Sequence, residues 1–75
     1  MKENIILIAI DCLGISREEA EMNCERLPDI NAYYFWNNAR GGRSMIIDTN
    51  GEKLIAASMV DLDKHIQAFV NGRRN

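Results

Sequence analysis

Arg40-Gly41-Gly42-Arg43 is the stretch of this chain whose residue types come closest to a binding device. Paired glycines let backbone amides converge on an anion, and flanking guanidiniums match the fork geometry of phosphate or carboxylate. The stretch has neither the spacing and Lys-Ser/Thr of a P-loop nor the G-x-G-x-x-G of a dinucleotide site. Its competing reading is a strand connection that needs glycine, with arginines exposed or paired to acidic helices. Shortly before it, Ala32-Tyr-Tyr-Phe-Trp36 places four aromatic rings in succession. Alternation sends Tyr33 and Phe35 to one side and Tyr34 and Trp36 to the other. Tyr34 and Trp36, with Arg40 and Arg43 nearby, would then form either a platform for stacked bases or an aromatic protein contact. The other pair would be core.

The remaining chemistry-bearing residues are thinly spread. His65 is the only histidine, with Asp61 four residues before it, and one imidazole without companion ligands makes a poor metal site. It reads as structural, at the margin of the core. Cys12 and Cys24 are too few for a disulfide framework and read as two reduced, packed thiols. Ser16 and Ser44 read as a helix cap and a strand residue, so no nucleophile and base can be paired. The chain therefore calls for no cofactor and no metal, and reads as non-enzymatic.

The elements that must position these residues follow from local signals. Ile5 to Ile10 fits a strand or a helix, and the stop at Leu13-Gly14-Ile15 favours a helix over 3–13, with Asn4, Leu7 and Asp11 as its wetter stripe. Ser16-Arg-Glu-Glu19 is a capping box, with Ile15 and Ala20 placed as a staple, and predicts a helix from Arg17 to Arg26 stopped by Pro28. Asn50-Gly51 between two apolar runs predicts a type I′ hairpin. In that register Asp48 faces Lys53, Ile47 faces Leu54, Ile46 faces Ile55 and Met45 faces Ala56. Asp61 caps a last helix that carries Leu62, His65, Ile66 and Phe69 on one face and stops at Gly72. The expected fold is α+β: a helical hairpin, a three-stranded antiparallel β-meander over about 32–37, 43–48 and 52–58, and a C-terminal helix.

At 75 residues the chain reads as a single small domain. The six-residue run Ile5–Ile10 is too short for a signal h-region or a membrane span, so the expected location is the cytoplasm, away from membranes. Net charge is −2 but uneven. Residues 1–31 carry three bases against seven acids, and residues 32–75 carry six against four, so an anion-facing surface belongs to the second part. The hairpin reads as apolar on both faces, which three short helices would not cover. That excess predicts an interaction or regulatory module that self-associates, most simply as a homodimer, through a sheet face or the N-terminal helix. The alternative is a nucleic-acid or phosphate-ligand binder using Arg40, Gly41, Gly42 and Arg43 with Tyr34 and Trp36.

Overall fold

The computed structural model describes residues 3–38, 42–57 and 60–74. Along the chain run α1 (Glu3–Leu13), α2 (Arg17–Met22), β1 (Cys24–Leu27), a 3-10 turn at Pro28–Ile30, β2 (Ala32–Trp36), β3 (Arg43–Asp48), β4 (Lys53–Ala57) and α3 (Leu62–Val70). The strands form one antiparallel sheet in the order β1-β2-β3-β4. The class is α+β, with four strands where the sequence suggested three.

Helix α1 exposes Asn4, Leu7 and Asp11 and buries Ile5, Ile6, Ala9 and Leu13, the division its periodicity requires. Gly14 stops it at φ +65°, its amide donating to the Ile10 carbonyl at 3.0 Å. The capping box then starts α2: the Glu19 amide donates to Ser16 Oγ at 3.1 Å, and the Ser16 amide to Glu19 Oε1 at 3.2 Å. Ile15 and Ala20 are both buried beside the box, as a staple should be.

The second helix ends at Met22, four residues before the expected Arg26, and Cys24–Leu27 is instead an edge strand. The propensities of Cys-Glu-Arg-Leu fit a helix, but pairing wins: Cys24 lies opposite Phe35, Glu25 opposite Tyr34, Arg26 opposite Tyr33 and Leu27 opposite Ala32. The turn that makes this possible is Pro28-Asp-Ile-Asn31, in which Asn31 takes the left-handed conformation at φ 51°.

The β3–β4 hairpin lies where Asn50-Gly51 places it, with a different turn and register. Ile46 faces Leu54, Met45 faces Ile55 and Ile47 faces Lys53, one residue away from the type I′ alignment. The loop has three residues, not two, because the Asp48 carboxylate accepts the amides of Asn50 at 2.9 Å and Glu52 at 3.0 Å. Gly51 alone takes positive φ, at +90°, while Asn50 does not. No cross-strand Asp48 and Lys53 pair forms. The slip also exchanges the face partners. Met45, Ile47 and Ile55 face α1, and Ser44, Ile46 and Leu54 face α3.

The sheet is the middle of three layers. Phe35, Met45 and Ile47 are 0% exposed beneath α1 and α2, and Ala32 and Ile46 are 0% exposed on the α3 side beside Phe69. Each large side chain buried this fully contributes about 1.5–3 kcal/mol. The chain's own helices thus cover the centre of both faces at β2 and β3, while β4 and the Tyr34 and Trp36 end of the α3-side face are only partly covered. Among the described residues the large apolar side chains left outside are Leu7, 53% exposed, Met22, 71%, and Val70, 55%. Among the described residues no helix is long and apolar enough to cross a membrane.

Candidate functional site

Strand alternation sorts the candidate residues before any contact is considered. Tyr34 and Trp36 lie on the α3 face of β2 together with Ala32, whereas Tyr33 and Phe35 point toward α1. On β3 the same parity places Ser44 toward α3 and Arg43 toward α1. Arg43 Nη2 donates to the Cys12 carbonyl at 3.4 Å, and Asn37 Nδ2 donates to the Leu13 carbonyl at 3.0 Å. Both side chains therefore serve the carbonyl end of α1, where cations and donors are favourable. Gly42 is half-buried just before β3, and the left-handed glycines among the described residues are Gly14, Gly51 and Gly72. Arg40 and Gly41 lie outside the described residues.

Of the constellation of Tyr34, Trp36, Arg40, Gly41, Gly42 and Arg43, the two aromatics thus lie on one face of the sheet and Arg43 on the other. Tyr34 and Trp36 do come together: their rings stack with centroids 5.5 Å apart and planes at 29°, and both side chains are half-buried. Directly opposite Tyr34, and on the same face, stands the exposed Glu25 of β1. Opposed residues of an antiparallel pair have Cβ atoms about 4.5–5.5 Å apart. A carboxylate therefore borders the aromatic pair, a neighbour that a helix over residues 24–27 would not supply. Tyr33, on the other face, receives a hydrogen bond at 3.0 Å from Arg26, whose guanidinium also lies 5.5 Å from its ring centroid.

Behind Tyr34 the face closes on His65, whose ring meets the tyrosine edge-on at 6.0 Å. His65 is only 1% exposed, so it belongs to the core rather than its margin. Nε2 lies 2.8 Å from the Leu54 carbonyl and Nδ1 lies 3.3 Å from Ser44 Oγ. A carbonyl can only accept, so Nε2 carries a proton, and in the neutral ring Nδ1 accepts from the serine hydroxyl. The sequence offered no sign that Ser44 and His65 meet. Their geometry resembles half of a nucleophile and base pair, but Ser44 is 2% exposed and the Asp61 carboxylate is occupied elsewhere, accepting the Lys64 amide at 3.0 Å as the α3 cap. The contact clamps α3 to β3 and β4.

The thiols and acids add no second centre. Cys12 and Cys24 are free and half-buried, and burial pushes the Cys24 thiol up from its ordinary value, away from thiolate chemistry. No group of three His, Cys, Asp or Glu residues able to hold a metal ion occurs among the described residues. Arg17 bridges Glu3 with both guanidinium nitrogens on the outer side of α1 and α2, and holds the Glu3 carboxyl below its ordinary value. No known protein family, curated protein or solved structure matches this chain.

Proposed function

We propose that this chain is a non-enzymatic, cytoplasmic interaction module. Its contact surface is the part of the α3-side sheet face formed by Tyr34, Trp36 and Glu25. Its partner is a protein segment that presents a lysine or arginine side chain. The observation that carries this reading is the half-buried stack of Tyr34 on Trp36 with Glu25 across from it. Aromatic faces attract a cation by about 0.5–2 kcal/mol, more as water is excluded, and Glu25 supplies the opposite charge at the same edge. Rigid Tyr and Trp side chains are also the residues that dominate protein contacts.

Two features favour a protein segment over nucleic acid. Arg43 is committed to the other face of the sheet, at the end of α1, and Glu25 repels phosphate from the aromatic pair. The non-enzymatic reading is supported by His65, the chain's single histidine, whose two ring nitrogens are both occupied within the core. Self-association, expected from a sheet apolar on both faces, has less apolar surface to work with, because α1, α2 and α3 bury the centre of each face. Edge pairing of β1 with a second copy is disfavoured too. A two-fold axis at either central residue sets Glu25 against Glu25 or Arg26 against Arg26, and like charges directly opposed are destabilising.

Trp36 is the only tryptophan, so its emission reports on this surface. Titration with the peptide acetyl-Gly-Lys-Gly-Arg-Gly-amide is expected to give a saturable change that acetyl-Gly-Glu-Gly-Glu-Gly-amide does not produce. Glu25→Gln should weaken binding by about three- to fivefold, the worth of one exposed ion pair. No response at millimolar basic peptide would end this reading, and a dimeric mass by light scattering without peptide would transfer the surface to a second copy.

A further inference from the structure

We propose a second binding site, chemically opposite to the first and independent of it: a groove between the outer edge of β4 and α3 that takes a small amphiphilic anion, a carboxylate or phosphate head on a short apolar tail. The groove has a volume of about 310 Å³, at the lower end of the roughly 300–1,000 Å³ typical of small-ligand sites. Leu54, Ile55, Ala56 and Ala57 all border it. Successive strand residues point to opposite faces, so four in a row can line one cavity only if it follows the strand's edge. The facing wall is Lys64, His65 and Ala68 of α3, with Val60 and Arg73 at the ends.

The space exists because of residue choice. Strand β4 begins Lys-Leu-Ile and finishes in two alanines, a residue depleted in strands, and Ala68 stands across from them on α3. Small side chains on both walls leave a trough with apolar side chains along β4 and the polar groups of Lys64, His65 and Arg73 on the facing side. His65 stiffens the trough, because its bonds to Ser44 and to the Leu54 carbonyl tie α3 to the strands. A wall held this way needs little reordering on binding, which favours affinity.

Charge names the ligand. Lys64 and Arg73 are exposed at the groove, and among the described residues no acidic one lines it. The neighbouring Arg74 is already engaged, lying 3.9 Å from Glu52 and covering the Phe69 ring at 3.7 Å. Among the described residues no ion pair neutralises Lys64 or Arg73. Two unneutralised cations at an apolar trough complement an anionic head with a hydrocarbon tail. Residues 54–73 carry Asp61 and Asp63 as well as Lys64 and Arg73, but of these four only the two cations line the groove.

The test is amide NMR of the isotope-labelled full chain titrated separately with hexanoate, hexyl phosphate, hexylammonium and inorganic phosphate. Hexanoate or hexyl phosphate should move the amides of residues 54–57, Lys64 and Ala68 saturably, and the tighter of the two identifies the head group. Inorganic phosphate should bind at least about tenfold more weakly, because each buried methylene strengthens association. The surface double variant Lys64→Gln with Arg73→Gln should lose about tenfold, the worth of two exposed ion contacts. Ala68→Leu, which fills the trough, should abolish binding, and should it fail to fold the double variant still decides. Trp36→Leu, which removes the other surface, should leave hexanoate binding unchanged. Equal binding of hexylammonium, full affinity in the double variant, or shifts located elsewhere overturn the proposal.

Discussion

Replacing His65 with alanine removes three things at once. The Leu54 carbonyl loses the donor at 2.8 Å, the Ser44 hydroxyl loses its partner at 3.3 Å, and a site that is 1% exposed is left with a void. Each hydrogen bond is worth about 1 kcal/mol net, an orphaned buried hydroxyl costs about 1–3 kcal/mol, and truncating a large buried side chain to alanine costs about 2–5 kcal/mol. These overlap, and about 3–5 kcal/mol is the expected sum. A chain of 75 residues has about 4–11 kcal/mol in all. At about 4–8 °C per kcal/mol for a domain this small, the melting temperature should fall by at least about 12 °C. Thermal and urea unfolding followed by circular dichroism measure it. Ser44→Ala alone should cost about 1 kcal/mol, and the double-mutant cycle should show coupling of about 1 kcal/mol because the two side chains share one bond. A loss below about 1 kcal/mol for His65→Ala, or strict additivity with Ser44→Ala, would refute the clamp.

Three further outcomes follow from other parts of the fold. Gly51→Ala should destabilise the hairpin by about 1 kcal/mol in urea melts, because φ +90° strains any residue with a Cβ. Glu3 is held below its ordinary value of 4.5 by Arg17, so its stabilising pairing is complete above that pH and is lost as pH falls through the lower folded value. Acid unfolding should therefore begin at higher pH in Glu3→Gln, and the difference should shrink in high salt because the pair is exposed. Burial raises the Cys24 thiol, so alkylation by iodoacetamide at neutral pH, read by mass spectrometry of the Cys24 peptide, should be slow in the folded chain and fast in urea.

Features written into neighbouring residues are legible in the sequence itself. Gly14, the Ser16 and Glu19 box, the Asp61 cap and the Gly72 stop act through bonds a few residues long, and each lies where local rules put it. Strand β1 was not legible, because Cys24–Leu27 becomes a strand only through pairing with β2. Asn50-Gly51 marked the hairpin but fits two loop lengths, and the Asp48 side chain decides between them by holding two amides. That single residue of register changed which side chains share a face. For the site, alternation was enough to put Tyr34 beside Trp36. Arg43, close in sequence, went to the opposite face by the same parity, and Glu25 joined the aromatics only once β1 was a strand. Lys64 and Arg73 gave no sequence signal, since their groove depends on how α3 lies along β4.

The indole N–H of Trp36 gives one resonance in an amide spectrum of the labelled chain, and following it during addition of the lysine- and arginine-bearing peptide tests the proposed contact most directly. This signal should move together with the amides of Glu25 and Tyr34, in wild type more than in Glu25→Gln. A silent indole at millimolar peptide, or shifts gathered around Leu7 and Met22 on the opposite side of the sheet, would contradict it.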